Sequence, residues 1–288
     1  MKNKSNSRRD FFKGAIALSL TPLMATEATS KKEKKTNSLK LVHITDSHMD
    51  MGNPDSVEAL KMAVKYLNKN YPDLDCVLFG GDNFNNNSKG DSDALVYKEI
   101  VEKLHCPVYH VRGNKEANPA KDKQIDLEEF KKLFMSYKEL TVSGKDWAVE
   151  KNGTLILGLD SCIEHANNGE FTKETLAFAK KMLELGKPTI ILDHHPYSNY
   201  WCGTDKKDIH KYVLGNSEET IKTLFKYPNL LATLSGHKHI DNIKMINRVK
   251  TITTRGFIRP LDLDEYPMRY IEINGNDVSE KLIYTVEV

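Results

Sequence analysis

The feature that most constrains the fold is an alternation of short apolar runs with amphipathic helical windows, which begins at Leu39. The runs are rich in β-branched side chains, and each window carries apolar residues at a helical spacing. This alternation is typical of strand–helix units stacked around a buried sheet, so it predicts an α/β fold. The predicted strands span residues 39–45, 76–79, 108–111, 155–159, 189–192, 231–234 and 250–253.

Five windows with one apolar face are predicted to be helices that pack on the sheet. They lie at residues 56–68, 93–104 and 127–135, after Thr172, and from Ser217 onwards. Asp55 and Glu58 predict a variant of the capping box at the first of these helices. Near the C-terminus, a turn at Gly275 separates residues 270–274 from 280–288, which predicts a closing antiparallel hairpin.

Length and composition indicate one sizeable folded domain. The chain has 288 residues, of which 39% are hydrophobic, and this is enough for a well-buried core. Its formal charge is +2, and the first 28 residues hold five basic and two acidic side chains, so that segment carries +3 and the remainder carries −1. A nearly neutral domain lacks the basic surface that nucleic-acid binding requires, so no nucleic-acid partner is expected.

The four cysteines stand far apart and form no C-x-x-C pair, which excludes a zinc knuckle and a dithiol redox motif. We interpret them as mostly buried thiols. A disulfide is the alternative in an oxidising compartment, and the spacing indicates no particular pairing. The four residues are Cys76, Cys106, Cys162 and Cys202.

The N-terminus is interpreted as an export signal. Arg8 and Arg9, followed by Phe11, Phe12 and a short apolar run, resemble a twin-arginine signal. The run is too short for a transmembrane helix, which needs about 20 residues, so no stable transmembrane segment is expected in the mature chain. An ordinary amphipathic start is the alternative. We expect a signal peptide at 1–28, a lysine-rich tether at 29–38 and one domain at 39–288, exported by the twin-arginine machinery to the periplasm or cell surface of a bacterium.

Residues suited to metal binding follow the predicted strands in five loops. Open sheets build sites from such ligands, gathered from several strand ends. In the pairs Asp46-x-His48 and His237-x-His239, an extended backbone would point both side chains to the same side. A lone D-x-H occurs by chance, whereas the ordered set is specific. It comprises Asp46, His48, Asp82, Asn83, Asn114, His194, His195, His237 and His239.

The ordered motifs D-x-H, G-D-N, G-N, H-H-P and G-H-x-H resemble those of the calcineurin-like metallophosphoesterase family, over residues 39–241. The resemblance implies that residues 39–288 form a four-layer α/β/β/α sandwich, with two mixed sheets flanked by helices. It also implies two metal ions bridged by Asp82. One ion would be held by Asp46, His48 and His239, and the other by Asn114, His194 and His237.

The resemblance further implies hydrolysis of a phosphomonoester or phosphodiester by a hydroxide held between the two divalent cations. Imidazole and carboxylate ligands suit Mn, Fe, Zn or Ni. Because only two of the ligands, Asp46 and Asp82, carry a negative charge, two cations would leave the cluster at about +2. Such a cluster attracts a small phosphorylated substrate.

Lys115 departs from the family pattern, because it stands where the family has a histidine that assists the leaving group. A lysine supplies positive charge near a phosphate, but with a pKa of about 10.4 it is a poor proton donor at neutral pH. His195, or water, would then protonate the leaving group. The same departure motivates an alternative function, a non-catalytic protein that binds metal or a phosphate ligand on this scaffold.

Asn83 and Phe84 resemble the purple acid phosphatase branch, but the tyrosine that this branch uses as an iron(III) ligand is here Asn85. A strong tyrosinate charge-transfer band is therefore not expected, and the protein should be colourless or weakly coloured.

Several histidines, arginines and aromatic residues lie outside the ordered motifs, and each could serve either the fold or the site. The remaining histidines are predicted to be structural or on the surface, and nearby arginines to form ordinary ion pairs. Aromatic residues after the H-H-P motif either wall the substrate pocket or pack in the core. These residues are His43, His105, His110, His165 and His210; Arg112, Arg255 and Arg259; and Tyr197, Tyr200 and Trp201.

Overall fold

The computed structural model describes residues 38–85, 92–117, 125–198, 206–258 and 266–285. The predicted signal peptide and tether, except for Ser38, lie outside these ranges, as do Cys202, Tyr200, Trp201 and Arg259. Within the described ranges, no helix has the length and apolar character needed to cross a bilayer.

Twelve strands are present in the described residues, and they include all seven predicted from the sequence, each within one residue of its expected ends. In chain order they are β1 (Leu39–Ile44), β2 (Cys76–Phe79), β3 (Val108–His110), β4 (Thr141–Ser143), β5 (Asp146–Lys151), β6 (Thr154–Gly158), β7 (Thr189–Leu192), β8 (Leu230–Ser235), β9 (Asn242–Ile246), β10 (Val249–Thr253), β11 (Pro267–Asn274) and β12 (Asp277–Tyr284).

The strands form two mixed sheets. The five-stranded sheet has the order β12-β11-β1-β2-β3, and the seven-stranded sheet has the order β4-β5-β6-β7-β8-β10-β9. Strands β1, β2 and β3 run parallel, as do β6, β7, β8 and β10, and antiparallel strands complete each sheet. Because the carboxyl ends of parallel strands meet at one edge of a sheet, the loops after β1, β2 and β3 lie together, and so do those after β7 and β8.

The helices flank the two sheets, which confirms the expected sandwich. They are α1 (Pro54–Asn70), α2 (Ser92–Val101), α3 (Asn114–Ala117), α4 (Leu127–Phe134), α5 (Lys173–Leu183) and α6 (Ser217–Leu224), with a 3-10 helix at Lys206–Lys211. One apolar cluster joins both sheets with α1 and α2, and a second joins the seven-stranded sheet with α5 and α6. The short helix α3 was not predicted from the sequence.

The capping box predicted at the first helix is wrong. Helix α1 begins at Pro54, with Asn53 as its N-cap and no side-chain capping bond. Proline suits this position because its missing N–H is one of the groups that a helix start leaves unbonded. A reciprocal capping box is present instead at α4, between Asp126 and Glu129.

The C-terminal hairpin and the buried thiols are as expected. Strands β11 and β12 pair antiparallel through the turn at Gly275. Cys76 and Cys162 are buried free thiols, and Cys106 is a partly buried one. Three strands, β4, β5 and β9, were not predicted. The first four residues of β5 are buried. Strands β4 and β9 lie at the two edges of the larger sheet and expose most of their side chains. Edge strands of this kind lack the apolar pattern that marks the buried ones.

His110 is a buried histidine that we expect to weaken the fold in acid. Its ring stacks on Phe79, with 4.9 Å between centroids, and neither ring nitrogen has a hydrogen-bond partner among the described residues. Burial lowers the pKa of His110 from 6.5 to about 3. The unfolded chain therefore binds a proton between these two pH values and the folded chain does not, so stability falls as the pH drops below 6.5.

His110→Leu should remove this penalty. The difference in unfolding free energy between the variant and wild type is measured at two pH values. It should favour the variant by about 2–3 kcal/mol more at pH 4.5 than at pH 7, since one pKa unit corresponds to about 1.4 kcal/mol. Urea unfolding at the two pH values measures the difference. The exposed His105→Leu is the matched control, and an equal pH response of the two variants would contradict the prediction.

Candidate metal centre

The fold brings all seven predicted ligands to one place, at the carboxyl ends of five parallel strands. Asp46 and His48 follow β1, Asp82 follows β2, Asn114 follows β3, His194 follows β7, and His237 and His239 follow β8. All except the two β8 residues are buried, and these two are partly buried.

The first group of ligand atoms comprises Asp46, His48 and His239. The Oδ1 atom of Asp46 lies 3.2 Å from the Nε2 atom of His239 and 3.9 Å from the Nε2 atom of His48. The two imidazole Nε2 atoms are 3.2 Å apart. Three such atoms within 4.8 Å of one another can hold one cation.

The second group lies beside the first. The Nε2 atom of His194 is 3.2 Å from the Nδ1 atom of His237 and 3.3 Å from the Oδ1 atom of Asn114. Asp82 lies between the groups, with Oδ1 3.5 Å from the Nε2 atom of His194 and Oδ2 3.8 Å from the Nε2 atom of His48. Its two oxygens therefore face different groups, as a bridging ligand requires.

The hydrogen bonds of the imidazoles leave lone pairs directed at the centre of each group. His48 donates from Nδ1 to the Oδ1 atom of Asn85 at 3.1 Å, because the amide nitrogen of Asn85 donates to Asp50 at 2.8 Å. His237 donates from Nε2 to the carbonyl of Lys211 at 2.7 Å. A neutral imidazole has one N–H, so the Nε2 atom of His48 and the Nδ1 atom of His237 are free to bind a cation.

The charges around the site favour a cation there. Burial lowers the pKa of His48, and lowers that of His237 to about 4, so both rings are neutral at pH 7. Burial also opposes protonation of His194, but the carboxylates of Asp82 and Asp46 outweigh it and raise the pKa of His194. Positive charge is therefore stabilised at the point where ligand atoms converge, and the residues fit a pair of metal ions.

Five of the seven ligands have a left-handed backbone. Their φ angles are 54° for Asp46, 40° for His48, 50° for Asp82, 68° for His237 and 55° for His239. The prediction that each i, i+2 pair converges because its segment is extended is therefore wrong in its reason. The pairs converge because tight loops turn back on themselves, and such conformations cost about 1–3 kcal/mol each unless their surroundings hold them.

Asn85 shows why the purple acid phosphatase tyrosine is not needed for the geometry. Its side chain accepts from His48 and donates to Asp50, so it orients an imidazole. Outer partners of this kind set the orientation of metal-binding histidines. Where that branch has a metal ligand, this chain therefore has a residue that orients one of the predicted ligands.

Two glycines allow the loops to pack against each other. A Cβ atom on Gly113 would lie 2.2 Å from the backbone nitrogen of Asp82, and one on Gly236 would lie 2.4 Å from the Oδ2 atom of Asp46. A side chain at either position would force the loops apart, so both close approaches require glycine.

His195 lies beside the ligands but has a partner at each ring nitrogen. Nδ1 is 2.8 Å from the Ser161 hydroxyl, and Nε2 is 3.2 Å from the carbonyl of Asn167. Burial and the neighbouring His237 and His194 hold the pKa of His195 well below its usual value. These contacts favour a positioning role for His195 over the proton-donating role suggested by the sequence.

Lys115 lines a cavity of about 410 Å³, together with the predicted ligands Asn114 and His237. Its backbone N–H donates to the Oδ1 atom of Asp82 at 2.7 Å, and its side chain is exposed. The described residues that line the cavity include two lysines and no carboxylate. They are Asn114, Lys115, Asn167, Asn168, His210, Lys211, Tyr212 and His237.

Most of the other residues singled out from the sequence are structural. Tyr197 is buried against Phe171 and Phe225, so it packs in the core. Arg112 is buried and pairs with Asp160 at 2.6 Å. His43 and His110 are buried, and His105 and His165 are exposed. His210 differs, because it lines the cavity.

Sequence reasoning missed several residues near the site. The cavity residues Asn167, Asn168, Lys211 and Tyr212 belong to no motif, and nothing in their local sequence marks them. Glu116 could have been found, because it follows Lys115 directly after the G-N motif, at a position where the family pattern has an acidic residue.

Comparison with known proteins decides the family. The family model described as Calcineurin-like phosphoesterase matches residues 39–241, which is more than two thirds of the chain. The chain belongs to the calcineurin-like phosphoesterase family. Members of this family are metal-dependent hydrolases of phosphoester bonds that use two metal ions, and the converging ligand groups agree with that chemistry.

Two sequence relatives of this calcineurin-like phosphoesterase act on cyclic nucleotides. One is a 3',5'-cyclic adenosine monophosphate phosphodiesterase of Haemophilus influenzae, 22% identical over 70% of this chain and 70% of the relative. The other is a 3',5'-cyclic-nucleotide phosphodiesterase of Nostoc, 24% identical over 70% of this chain and 71% of the relative.

Solved structures share the fold. A dimetal phosphatase from Danio rerio aligns with a TM-score of 0.59 at 13% identity, and covers 86% of this chain and 99% of its own. A purple acid phosphatase from yellow lupin aligns with a TM-score of 0.59 at 12% identity, over 86% of this chain and 52% of its own.

Proposed function

We propose that this calcineurin-like phosphoesterase is a phosphodiesterase that binds two divalent cations and acts on a nucleotide-type phosphodiester. The observation that carries the proposal is the convergence of seven ligand side chains beside a cavity lined by lysines. One cation would be held by Asp46, His48 and His239, the other by Asn114, His194 and His237, and Asp82 would contact both. Imidazole and carboxylate donors suit Mn, Fe, Zn or Ni.

A bound pair of divalent cations supplies Lewis acidity and makes water nucleophilic at neutral pH. The protein supplies the positions. Asp82 faces both ligand groups with one oxygen each, and the Lys115 N–H holds one of those oxygens at 2.7 Å. His48 and His237 are kept neutral by burial and are oriented by hydrogen bonds at their outer nitrogens.

The cavity has room for the organic leaving group of a phosphodiester. The exposed Lys115 places positive charge on its wall, which favours an anionic phosphoester, whereas the charge of Lys211, which also lines the cavity, is paired with Asp208 at 2.8 Å. Tyr212 is 39% exposed, and Asn167 and Asn168 line the same cavity, so a planar, hydrogen-bonding group such as a nucleobase suits this space. The cyclic-nucleotide activity of both relatives supports the same substrate class.

A substrate panel tests the proposal. Purified protein supplied with Mn²⁺ should hydrolyse bis(p-nitrophenyl) phosphate and 2',3'- or 3',5'-cyclic nucleotides faster than p-nitrophenyl phosphate, and elemental analysis should find two metal ions per chain. Faster hydrolysis of the monoester would contradict the diesterase assignment. Binding without turnover of any phosphoester would favour the alternative suggested by Lys115, a non-catalytic binding protein.

Lys115→His should change which leaving groups are tolerated. Lys115 supplies charge, whereas a histidine near neutral pKa also donates a proton, and general acid catalysis contributes about 10²–10⁴-fold. The ratio of kcat/KM for an alkyl phosphodiester to that for an aryl phosphodiester should rise about tenfold or more, because only the alkoxide needs the proton. Lys115→Gln is the matched control, and an equal ratio in both variants would contradict this role.

We also propose export by the twin-arginine route, supported by Arg8, Arg9 and the following apolar run. Replacing both arginines with lysine should retain the protein in the cytoplasm of a bacterial host, since the receptor reads the arginine pair. Fractionation and immunoblotting of the full chain measure this. Unchanged export of the double variant would contradict the proposal.

A further inference from the structure

A single buried carboxylate joins the loops that follow β2 and β3. Glu116, in helix α3, is only 2% exposed. Its Oε1 atom accepts from the backbone N–H groups of Asn83 at 2.7 Å and Phe84 at 3.2 Å. Its Oε2 atom accepts from those of Asp82 at 3.1 Å and Gly113 at 2.7 Å. Each oxygen thus accepts from two amides. Of the four donors, three belong to the loop after β2 and one belongs to the loop after β3.

These four bonds use the full acceptor capacity of a carboxylate, which has about four lone-pair sites. They also satisfy buried amides at a point where the chain has left its strands and has no ladder partner. Both loops are in direct contact, since a Cβ atom on Gly113 would lie 2.2 Å from the Asp82 nitrogen. A shift of the Glu116 carboxylate would therefore move both loops.

The backbone of Asp82 needs such support. Its φ of 50° is a left-handed conformation, which persists in a non-glycine residue only where surrounding contacts hold it. Glu116 bonds the N–H of Asp82 and those of the next two residues, and Lys115 bonds the Asp82 carboxylate. The short helix α3 is therefore hydrogen-bonded both to the main chain of this loop and to the side chain of Asp82.

We propose that Glu116 is a positioning residue of the metal centre, which holds the loops of Asp82 and Asn114 at a fixed separation before any cation binds. The inference rests on the ligand set of the proposed function. Glu116 touches neither cation nor substrate in this role. It acts through the spacing of the two ligands, so its loss should appear first as weaker metal binding.

Glu116→Gln tests the role at constant size. The amide of glutamine directs N–H groups at two backbone N–H groups, which breaks at least two of the four bonds. The Kd for Mn²⁺, measured by titration of chelator-stripped protein, should rise about 10–100-fold, as when other outer partners of metal ligands are removed. Excess Mn²⁺ should restore much of the activity, which a general loss of folding would not allow.

Asp146→Asn is the matched control. Asp146 is also a buried carboxylate, and its Oδ1 atom accepts a hydrogen bond from the backbone N–H of Asp160 at 2.9 Å. Neither residue is one of the predicted metal ligands. This variant should lower the melting temperature and leave the Kd for Mn²⁺ unchanged. A Glu116→Gln protein that is folded by circular dichroism and binds Mn²⁺ as wild type does would overturn the proposal.

Hydrogen exchange of the wild-type protein decides the case even where the variant does not fold. In chelator-stripped protein, the amides of residues 82, 83, 84 and 113 should exchange slowly, because Glu116 holds them without metal. Fast exchange that slows only after Mn²⁺ is added would overturn the proposal. A wild-type protein that binds Mn²⁺ but hydrolyses no phosphoester would contradict the proposed function. The Kd for Mn²⁺ of Glu116→Gln, compared with that of wild type, would still test the role of Glu116.

Discussion

Asp82→Asn is expected to reduce phosphodiesterase activity by about a thousandfold or more. Asparagine keeps the size of the side chain and an oxygen that can accept the Lys115 N–H, but it removes the negative charge that faces both ligand groups. Removing one electrostatic group that acts in a transition state costs about 10²–10³-fold, and here the stability of the cation pair is lost as well. Activity with Mn²⁺ in excess and metal content per chain measure the effect.

The Asp146→Asn variant separates loss of charge at the centre from loss of a buried carboxylate in general. It should keep most of the activity and both metal ions, because Asp146 lies on β5 and contacts no ligand named above. Asp82→Asn protein that retains more than a tenth of wild-type activity would refute the assignment of Asp82 between the cations.

Gly113→Ala should disable the centre without changing any ligand. The added methyl group would lie 2.2 Å from the backbone nitrogen of Asp82 and 2.3 Å from its Oδ1 atom, so one of the two loops must move. A displacement of about 1 Å in a catalytic constellation costs about 10²-fold in rate. We expect at least this loss in kcat/KM, together with a higher Kd for Mn²⁺.

Gly186→Ala serves as the comparison for Gly113→Ala. A Cβ atom at Gly186 meets nothing within 4 Å, but the residue has a φ of 72°, so alanine adds backbone strain there without a clash. That variant should lose about 1–2 kcal/mol of stability and keep its kcat/KM. If both glycine variants lose stability alone and neither loses metal affinity, the close approach at Gly113 does not control the centre.

The sequence determined the identities of the predicted ligands and the order of the elements that carry them. Strand 76–79 and residues 190–192 of the strand that begins at Thr189 are marked by unbroken apolar runs, because parallel strands buried on both faces need few polar side chains. The ligand motifs stand directly after such strands, and the ordered spacing of Asp46, Asp82, Asn114, His194 and His237 was enough to identify the family. The twin-arginine signal stays a prediction from sequence.

Tertiary structure alone decided how the ligands converge and what holds them. The left-handed backbone of Asp82 and His237, the four-amide contact of Glu116 and the orientation of His48 by Asn85 each depend on groups far apart in the chain. No local pattern encodes them, because loop conformation follows from which neighbours the packed sheets bring within hydrogen-bonding distance. The cavity at Tyr212 has the same origin, since its walls meet only after the two sheets have packed.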